Sequence, residues 1–195
     1  MADYCTLADI KARLDRTDDR DDARISAIIS VASKHVEQLT NREFSTTTEA
    51  RYFTADTGGC CEVDDLVSLT SLQTDENGDR VYERTWRLAD YDLEPANAAS
   101  RGLPYTRIEI PPQGQLSFPT YRRAVKVTGT WGFPSVPLAV SEAAILLTIR
   151  LLKRVDAPYG VAGSPDLGEM TALPRQDPDV MALLAPYRRF ALGAV

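Results

Sequence analysis

The chain has 195 residues, 44% hydrophobic and 26% charged, which allows a buried core and excludes wholesale disorder. With 22 Lys and Arg against 28 Asp and Glu, its net charge is -6, so it is poorly suited to wrapping nucleic acid by phosphate neutralisation. A single histidine, His35, removes most multi-histidine metal sites and histidine-based catalytic arrays.

The opening reads as two helices. Thr6 precedes apolar Leu7, Ile10 and Leu14, with Asp9 three residues on, close to a capping box. Asp15 to Asp22 is nearly all charged and makes a solvated turn. Its last acids, Asp21 and Asp22, suit the positive end of a following helix, and the turn lacks the ligand spacing and central glycine of a calcium loop. The second helix runs from about Asp22 to Thr40. Ile25, Ile28, Ile29, Ala32, Val36 and Leu39 lie in one stripe, and Asn41 suits a left-handed cap. His35 falls at the edge of that stripe without a ligand partner at helical spacing, which predicts a packed or half-exposed imidazole.

From Thr46 to about Thr130 the pattern changes to strands. Thr48, Ala50 and Tyr52 alternate with polar residues, and Val67, Leu69 and Leu72 follow. The Asn77-Gly78 pair in Asp75 to Asp79 predicts a hairpin turn with a return strand over Arg80 to Trp86. Further strands are expected at Asp90 to Leu93, Thr106 to Ile110 and Ala124 to Thr130, punctuated by Pro104, Pro111, Pro112 and Pro119.

Helix returns at Pro134 and Pro137, and the periodicity predicts a long helix from about Leu138 to Val155. Its apolar residues mark two sides, Ile145, Ile149 and Leu152 on one, Val140, Leu147 and Leu151 on the other. Such a helix must be covered twice, by its own domain or by another subunit. Residues 156–176 hold three prolines and three glycines and read as a long loop, disordered or ordered by a partner. Asp177-Pro178 then caps a short helix marked by Val180, Leu183, Leu184 and Tyr187, which Pro186 should kink or end. The expected fold class is α+β. A small helical core, with two N-terminal helices and one long and one short C-terminal helix, carries an antiparallel β insertion at about 46–130 within a single domain.

Cys5, Cys60 and Cys61 are odd in number and two are adjacent, so no disulfide framework is written here. Met1 to Asp9 shows no secretory leader pattern, and the apolar run Leu138 to Ile149 is too short and charged to cross a bilayer. A soluble protein made in a reducing cytoplasm is expected. Gly58-Gly59 is followed by no Lys-Ser/Thr, so no phosphate loop is expected. Adjacent cysteines rarely reach one tetrahedral ion, so no metal and no cofactor are expected, and no nucleophile with a histidine partner can be nominated. Acids outnumber bases up to residue 119 and bases outnumber acids from 120 to 195. That is either scatter or the mark of a subunit stacking in one orientation.

Three stretches carry a further pattern. The first is Leu7-Ala8-Asp9-Ile10-Lys11 through the acidic turn to Ile25-Ser26-Ala27-Ile28-Ile29 and Val36 to Arg42. The second is Val125 to Phe133, then Pro137 and the alanine-rich start of the long helix. The third is Asp177-Pro178-Asp179-Val180 to Arg189. Their order, helix pair, β insertion, long helix, loop, short helix, resembles the tailed-phage head-to-tail connector family, also called head-completion adaptors. The β insertion is longer than a minimal adaptor needs.

The resemblance implies a non-enzymatic virion part in the neck between head and tail: a homo-oligomeric ring, twelve-fold, under the portal vertex, extending the DNA channel. Its implied partners are the portal protein, a stopper or tail-terminator protein, and duplex DNA passing without sequence recognition, with no membrane. A head-to-tail ring needs two complementary faces per subunit. Val140, Leu147 and Leu151, with Ile25 and Ile29, are the expected subunit interface. The tail, 187–195, is the expected portal-docking segment, through Tyr187, Arg188, Arg189, Phe190 and Leu192. A tail-completion or stopper subunit is the alternative within the neck, although stoppers tend toward compact β-barrels with little helix. A helix-turn-helix nucleic-acid module would place Asp21 and Asp22 against phosphates. A small enzyme lacks a motif.

Overall fold

The computed structural model describes residues 2–156, 161–162, 171–172 and 177–189. The expected single domain divides into two compact units: residues 1–42 with 136–195, which are helical, and 43–135, which are β.

The helical unit begins at α1, Leu7–Leu14, whose capping box is complete. The Asp9 N–H donates to Thr6 Oγ1 at 3.2 Å and the Thr6 N–H to Asp9 Oδ2 at 2.8 Å. Helix α2 spans Asp22–Thr40 and ends on Asn41 in the left-handed region, φ 54°. Helix α3, Leu138–Asp156, starts after Pro137, whose carbonyl accepts from the Val140 and Ser141 N–H groups. Helix α4, Pro178–Leu184, is capped by Asp177, which accepts from the Asp179 N–H at 3.0 Å. Pro186 follows in a single 3-10 turn, Ala185–Tyr187. Of the expected long loop 156–176, residues 157–160, 163–170 and 173–176 lie outside the described residues. Val161–Ala162 (β7) and Thr171–Ala172 (β8) pair antiparallel.

Helix α3 packs against α2 and α4. The buried residues of these helices include Ile25, Ile29, Ala32 and Val36 of α2, Val140, Ala143, Ala144 and Leu147 of α3, and Val180 and Leu184 of α4. Here the expected subunit interface needs correcting. Ile25 is 1% exposed, Ile29 2%, Val140 0% and Leu147 7%, so the chain itself covers them and they have no surface left to offer a neighbour. Leu151 is half-buried. Among the described residues of α3, the large apolar side chain left in solvent is Leu138, 89% exposed.

The β unit is one antiparallel sheet of β1 (Thr47–Phe53), β2 (Cys60–Thr74), β3 (Arg84–Thr85), β4 (Asp92–Glu94), β5 (Tyr105–Glu109) and β6 (Val125–Trp131). Its order is β1-β6-β2-β5-β4, with β3 beside β2. The long β2 is shared. Cys60 to Leu66 pairs with β5, and Leu66 to Thr74 pairs with β6, with register shifts between Glu62 and Leu66 in the first pairing and between Leu66 and Ser68 and between Leu69 and Ser71 in the second. Bulges bend a strand, which is how one strand serves two neighbours. Gly129 permits a close approach of β6 to β2, since a Cβ there would meet the Ser68 carbonyl and the Leu66 side chain. The core holds Cys61, Val63, Leu66, Leu72, Trp86, Ile108, Phe118, Val127 and Trp131.

Two strand expectations change. On β1 it is Arg51 and Phe53 that lie against Trp131, the guanidinium 4.9 Å from the ring centre and the Phe53 ring 5.4 Å away. Thr48, Ala50 and Tyr52 are exposed on the other face. Asn77-Gly78 does not close a two-residue hairpin. Only Arg84 and Thr85 pair back, against Thr74 and Gln73, and the residues between form a loop around Asp75.

Candidate assembly surfaces

The tail that sequence reasoning nominated is partly built into the fold. Tyr187 and Arg189 are half-buried and Arg188 is exposed. The Arg189 N–H donates to the Thr40 carbonyl at 2.8 Å, which satisfies one of the carbonyls orphaned at the end of α2. Phe190 and Leu192 lie outside the described residues.

A groove runs along α2, α3 and α4, walled by Leu39, Leu147, Leu151, Val180 and Met181, with His35, Arg150, Arg154 and Asp177 around it. Arg150 and Asp177 pair at 3.3 Å. The cavity volume is about 60 Å3, below the several hundred Å3 usual for a small-molecule site. His35 is exposed at its edge, nearer the half-exposed than the packed expectation. Sequence reasoning missed this groove. Each wall residue reads locally as core, and only the packing of three helices shows the gap between them.

The acidic turn before α2 is largely neutralised. Lys11 Nζ reaches Asp19 at 2.8 Å and Asp22 at 2.9 Å, and Arg16 reaches Asp21 at 2.9 Å. The cysteines are free thiols. Burial pushes the Cys61 thiol up to about 12 and raises those of Cys5 and Cys60, which leaves all three protonated and unreactive near neutrality.

The loop after β2 gathers several polar groups on one carboxylate. Buried Asp75 accepts N–H groups from Asn77 at 3.2 Å, Gly78 at 2.7 Å and Arg80 at 2.9 Å. The Tyr121 hydroxyl donates to the Asp75 backbone carbonyl and also reaches the carboxylate Oδ1 at 3.3 Å. Burial alone would raise the Asp75 pKa, but these donors favour the carboxylate and hold it below its ordinary value. Asp75, Asp79 and Glu83 bring their carboxylates within 4.8 Å of one another, so they have the donor chemistry and spacing for one hard cation. The Asn77-Gly78 pair by itself predicts a tight hairpin turn here.

The two units define the class of protein as α+β, a helical unit with a β unit inserted between its second and third helices. Residues 4–70 match the family described as phage gp6-like head-tail connector protein, which bears out the resemblance read from the first of the three stretches. The second and third stretches lie outside the matched residues. No curated protein matches the chain. Among solved structures, a chain from "Neck of native GTA particle computed with C12 symmetry" is similar in fold, with a TM-score of 0.56 at 20% identity. The likeness covers 97% of this chain and 91% of that one, so it includes the β insertion, which the family match leaves near the end of β2.

Proposed function

We propose that this protein is a structural, non-catalytic subunit of a phage-type neck, standing between head and tail as an adaptor ring under the portal. The observation that carries the reading is the family match over residues 4–70, which holds α1, α2, β1 and most of β2. The likeness in fold to a chain of a C12 neck supports twelve copies. The helix content favours an adaptor over a stopper or tail-completion subunit. The ring extends the DNA channel and passes duplex DNA without sequence recognition, for which a net charge of -6 disfavours sticking.

In this reading the tail docks on the portal through Tyr187, Arg188, Arg189, Phe190 and Leu192, and a stopper or tail terminator takes the opposite side. Because Arg189 also closes α2, the cleaner truncation keeps it and removes 190–195. With Ile25, Ile29, Val140 and Leu147 covered, exposed Leu138 and half-buried Leu146, Ile149, Leu151 and Leu152 are described α3 residues that can meet a neighbouring copy. The experiment is to mix purified protein with portal rings and image the product. A ring of this protein on the portal is expected, lost on deletion of 190–195 while the circular dichroism spectrum is kept. Protein that stays dispersed beside intact portal rings would sink the proposal.

A further inference from the structure

We propose that two surfaces of the β unit fit each other between copies: a basic, tyrosine-bearing corner of one subunit docks on an acidic sheet face of the next. The contact rests on the neck reading for its place in a ring, and on charge for its partner.

The corner is anomalous in an acidic chain. No Asp or Glu lies between Glu109 and Glu142, a stretch that holds Arg122, Arg123 and Lys126. The fold joins these to Arg80 at the end of the sheet where β1 stops and β6 begins. Tyr52 of β1 stands opposite Lys126 of β6, and the Tyr82 ring lies 5.5 Å from the Tyr52 ring and 5.6 Å from Lys126 Nζ. The Tyr82 hydroxyl donates to the Arg123 carbonyl and Arg80 Nη1 to the Arg122 carbonyl, both at 2.9 Å, which ties residues 80–82 to 121–123. Among the described residues none of these four cations forms an ion pair. The acids of the adjoining loop, Asp75, Asp79 and Glu83, bring their carboxylates together instead.

The acidic face is carried by the start of β2, by β5 and by β4. Register sets Glu62, Arg107 and Glu94 in one row across these strands, and Cys60, Glu109 and Asp92 in another, two residues along. Side chains two apart on a strand share a face, and Cys61 and Ile108 between them turn into the core. Four carboxylates therefore stand on one surface against a single guanidinium, Arg107, which pairs with Glu109 at 3.4 Å. Like charges directly opposite each other, as Asp92 and Glu109 are, destabilise a lone sheet. A cationic neighbour turns that repulsion into attraction.

Head-to-tail closure needs two unlike, complementary surfaces on each subunit, and the β unit has both. Tyr52 is 51% exposed and Val81 56%. Arginine and tyrosine around an apolar side chain suit a protein surface, whereas a phosphate backbone gains nothing from Val81.

The test reverses each side in the full chain. One variant is Arg122→Glu with Arg123→Glu, and the other is Asp92→Lys with Glu109→Lys. Arg20→Glu with Arg24→Glu, on exposed residues of the helical unit, is the control that matches the first in net charge. Circular dichroism checks the fold, and association is read by sedimentation at low salt and by imaging on portal rings. Each reversed variant alone is expected to associate at least about a hundred-fold more weakly than the natural chain, because like charges then face each other. The control should associate as the natural chain does. An equal mixture of the two reversed variants should recover association, since each meets its opposite in an alternating ring. Reversed variants that assemble alone like the natural chain, or a mixture that stays dispersed, overturn the contact. Duplex DNA binding that Arg122→Glu with Arg123→Glu abolishes, while copies still associate, gives the corner to nucleic acid and overturns it too. A second measurement needs no substitution. Carbodiimide treatment of mixed isotopically light and heavy natural chains should join Lys126 of one copy to Glu62, Asp92, Glu94 or Glu109 of another, and an assembled ring without that link overturns the contact. The two readings fail separately. A natural chain that leaves portal rings bare while the reversed mixture associates in sedimentation removes the neck and keeps the contact. A ring on the portal untouched by either reversal removes the contact and keeps the neck.

Discussion

The helical unit and the β unit close their cores by different means. Around α3 the contacts are aliphatic and small, with Ala32, Ala143 and Ala144 fully buried beside Ile25, Ile29 and Val36. The β unit relies on a few large rings, each with its polar tip satisfied. Trp131 Nε1 donates to the Glu49 carbonyl at 3.0 Å, and Trp86 Nε1 donates to Thr74 Oγ1 at 2.9 Å while its ring stacks on Phe118 at 4.6 Å. Many interchangeable contacts spread a loss, whereas one ring that joins several strands concentrates it. The β unit is thus the more brittle of the two.

The largest expected effect tests that statement directly. Trp131→Ala removes the ring that touches Arg51 and Phe53 and bonds Glu49, and should cost about 3–5 kcal/mol. Urea denaturation measures the loss, and hydrogen exchange should place it on β1 and β6. A cost below that of a helical-unit truncation would break the comparison. Ile29→Ala is that truncation, expected at about 2–5 kcal/mol. The same variant checks the corrected interface, because an Ile29 that met a neighbouring copy would leave the dilute subunit's stability unchanged.

Gly129→Ala sharpens the picture of β2 and β6. The new methyl would meet the Ser68 carbonyl and the Leu66 side chain, and overpacking of this kind costs about 1–3 kcal/mol. A chemical melt at or above the natural midpoint would show that the strands have slack there. Thr6→Ala, which deletes half of the α1 capping box, should cost about 1 kcal/mol and fray α1 alone. Amide exchange confined to α1 is the check.

Acid offers the gentlest handle. Asp75 is held below its ordinary pKa in the folded chain, so its contribution is present above the unfolded carboxylate value of about 3.9. It is lost as pH falls through the lower folded value. Stability should therefore be flat in this respect from pH 8 to 5, with the Asp75→Asn variant less dependent on pH below 4. Parallel acid titrations of both proteins would discard the role given to this loop.

The same contrast explains what could be read from the residues alone. The caps at Thr6, Asn41 and Asp177-Pro178 are local, decided within a turn of helix, and the helices fall where these signals put them. The bent β2 is not local. Its halves are paired by Tyr105–Glu109 and Val125–Trp131, and nothing between Cys60 and Thr74 names those partners. Asn77-Gly78 carries a hairpin signal that the Asp75 side chain overrides by gathering three backbone donors. Periodicity on α3 showed two apolar sides but not that α2 and α4 cover them, which is why Val140 was assigned to a neighbour. The tail was nominated from composition, yet its hold on Thr40 depends on where α4 ends.

The interleaving of the two units has a consequence for synthesis. Everything the β unit needs lies between 43 and 135. The helical unit needs its first 42 residues and then the chain from 136 onward. At a ribosome adding about 5–20 residues per second, the sheet can close while α1 and α2 wait with their apolar stripe uncovered. Only the emergence of the last helices gives them something to pack on, so the growing chain exposes the greasy flank of α2 for several seconds.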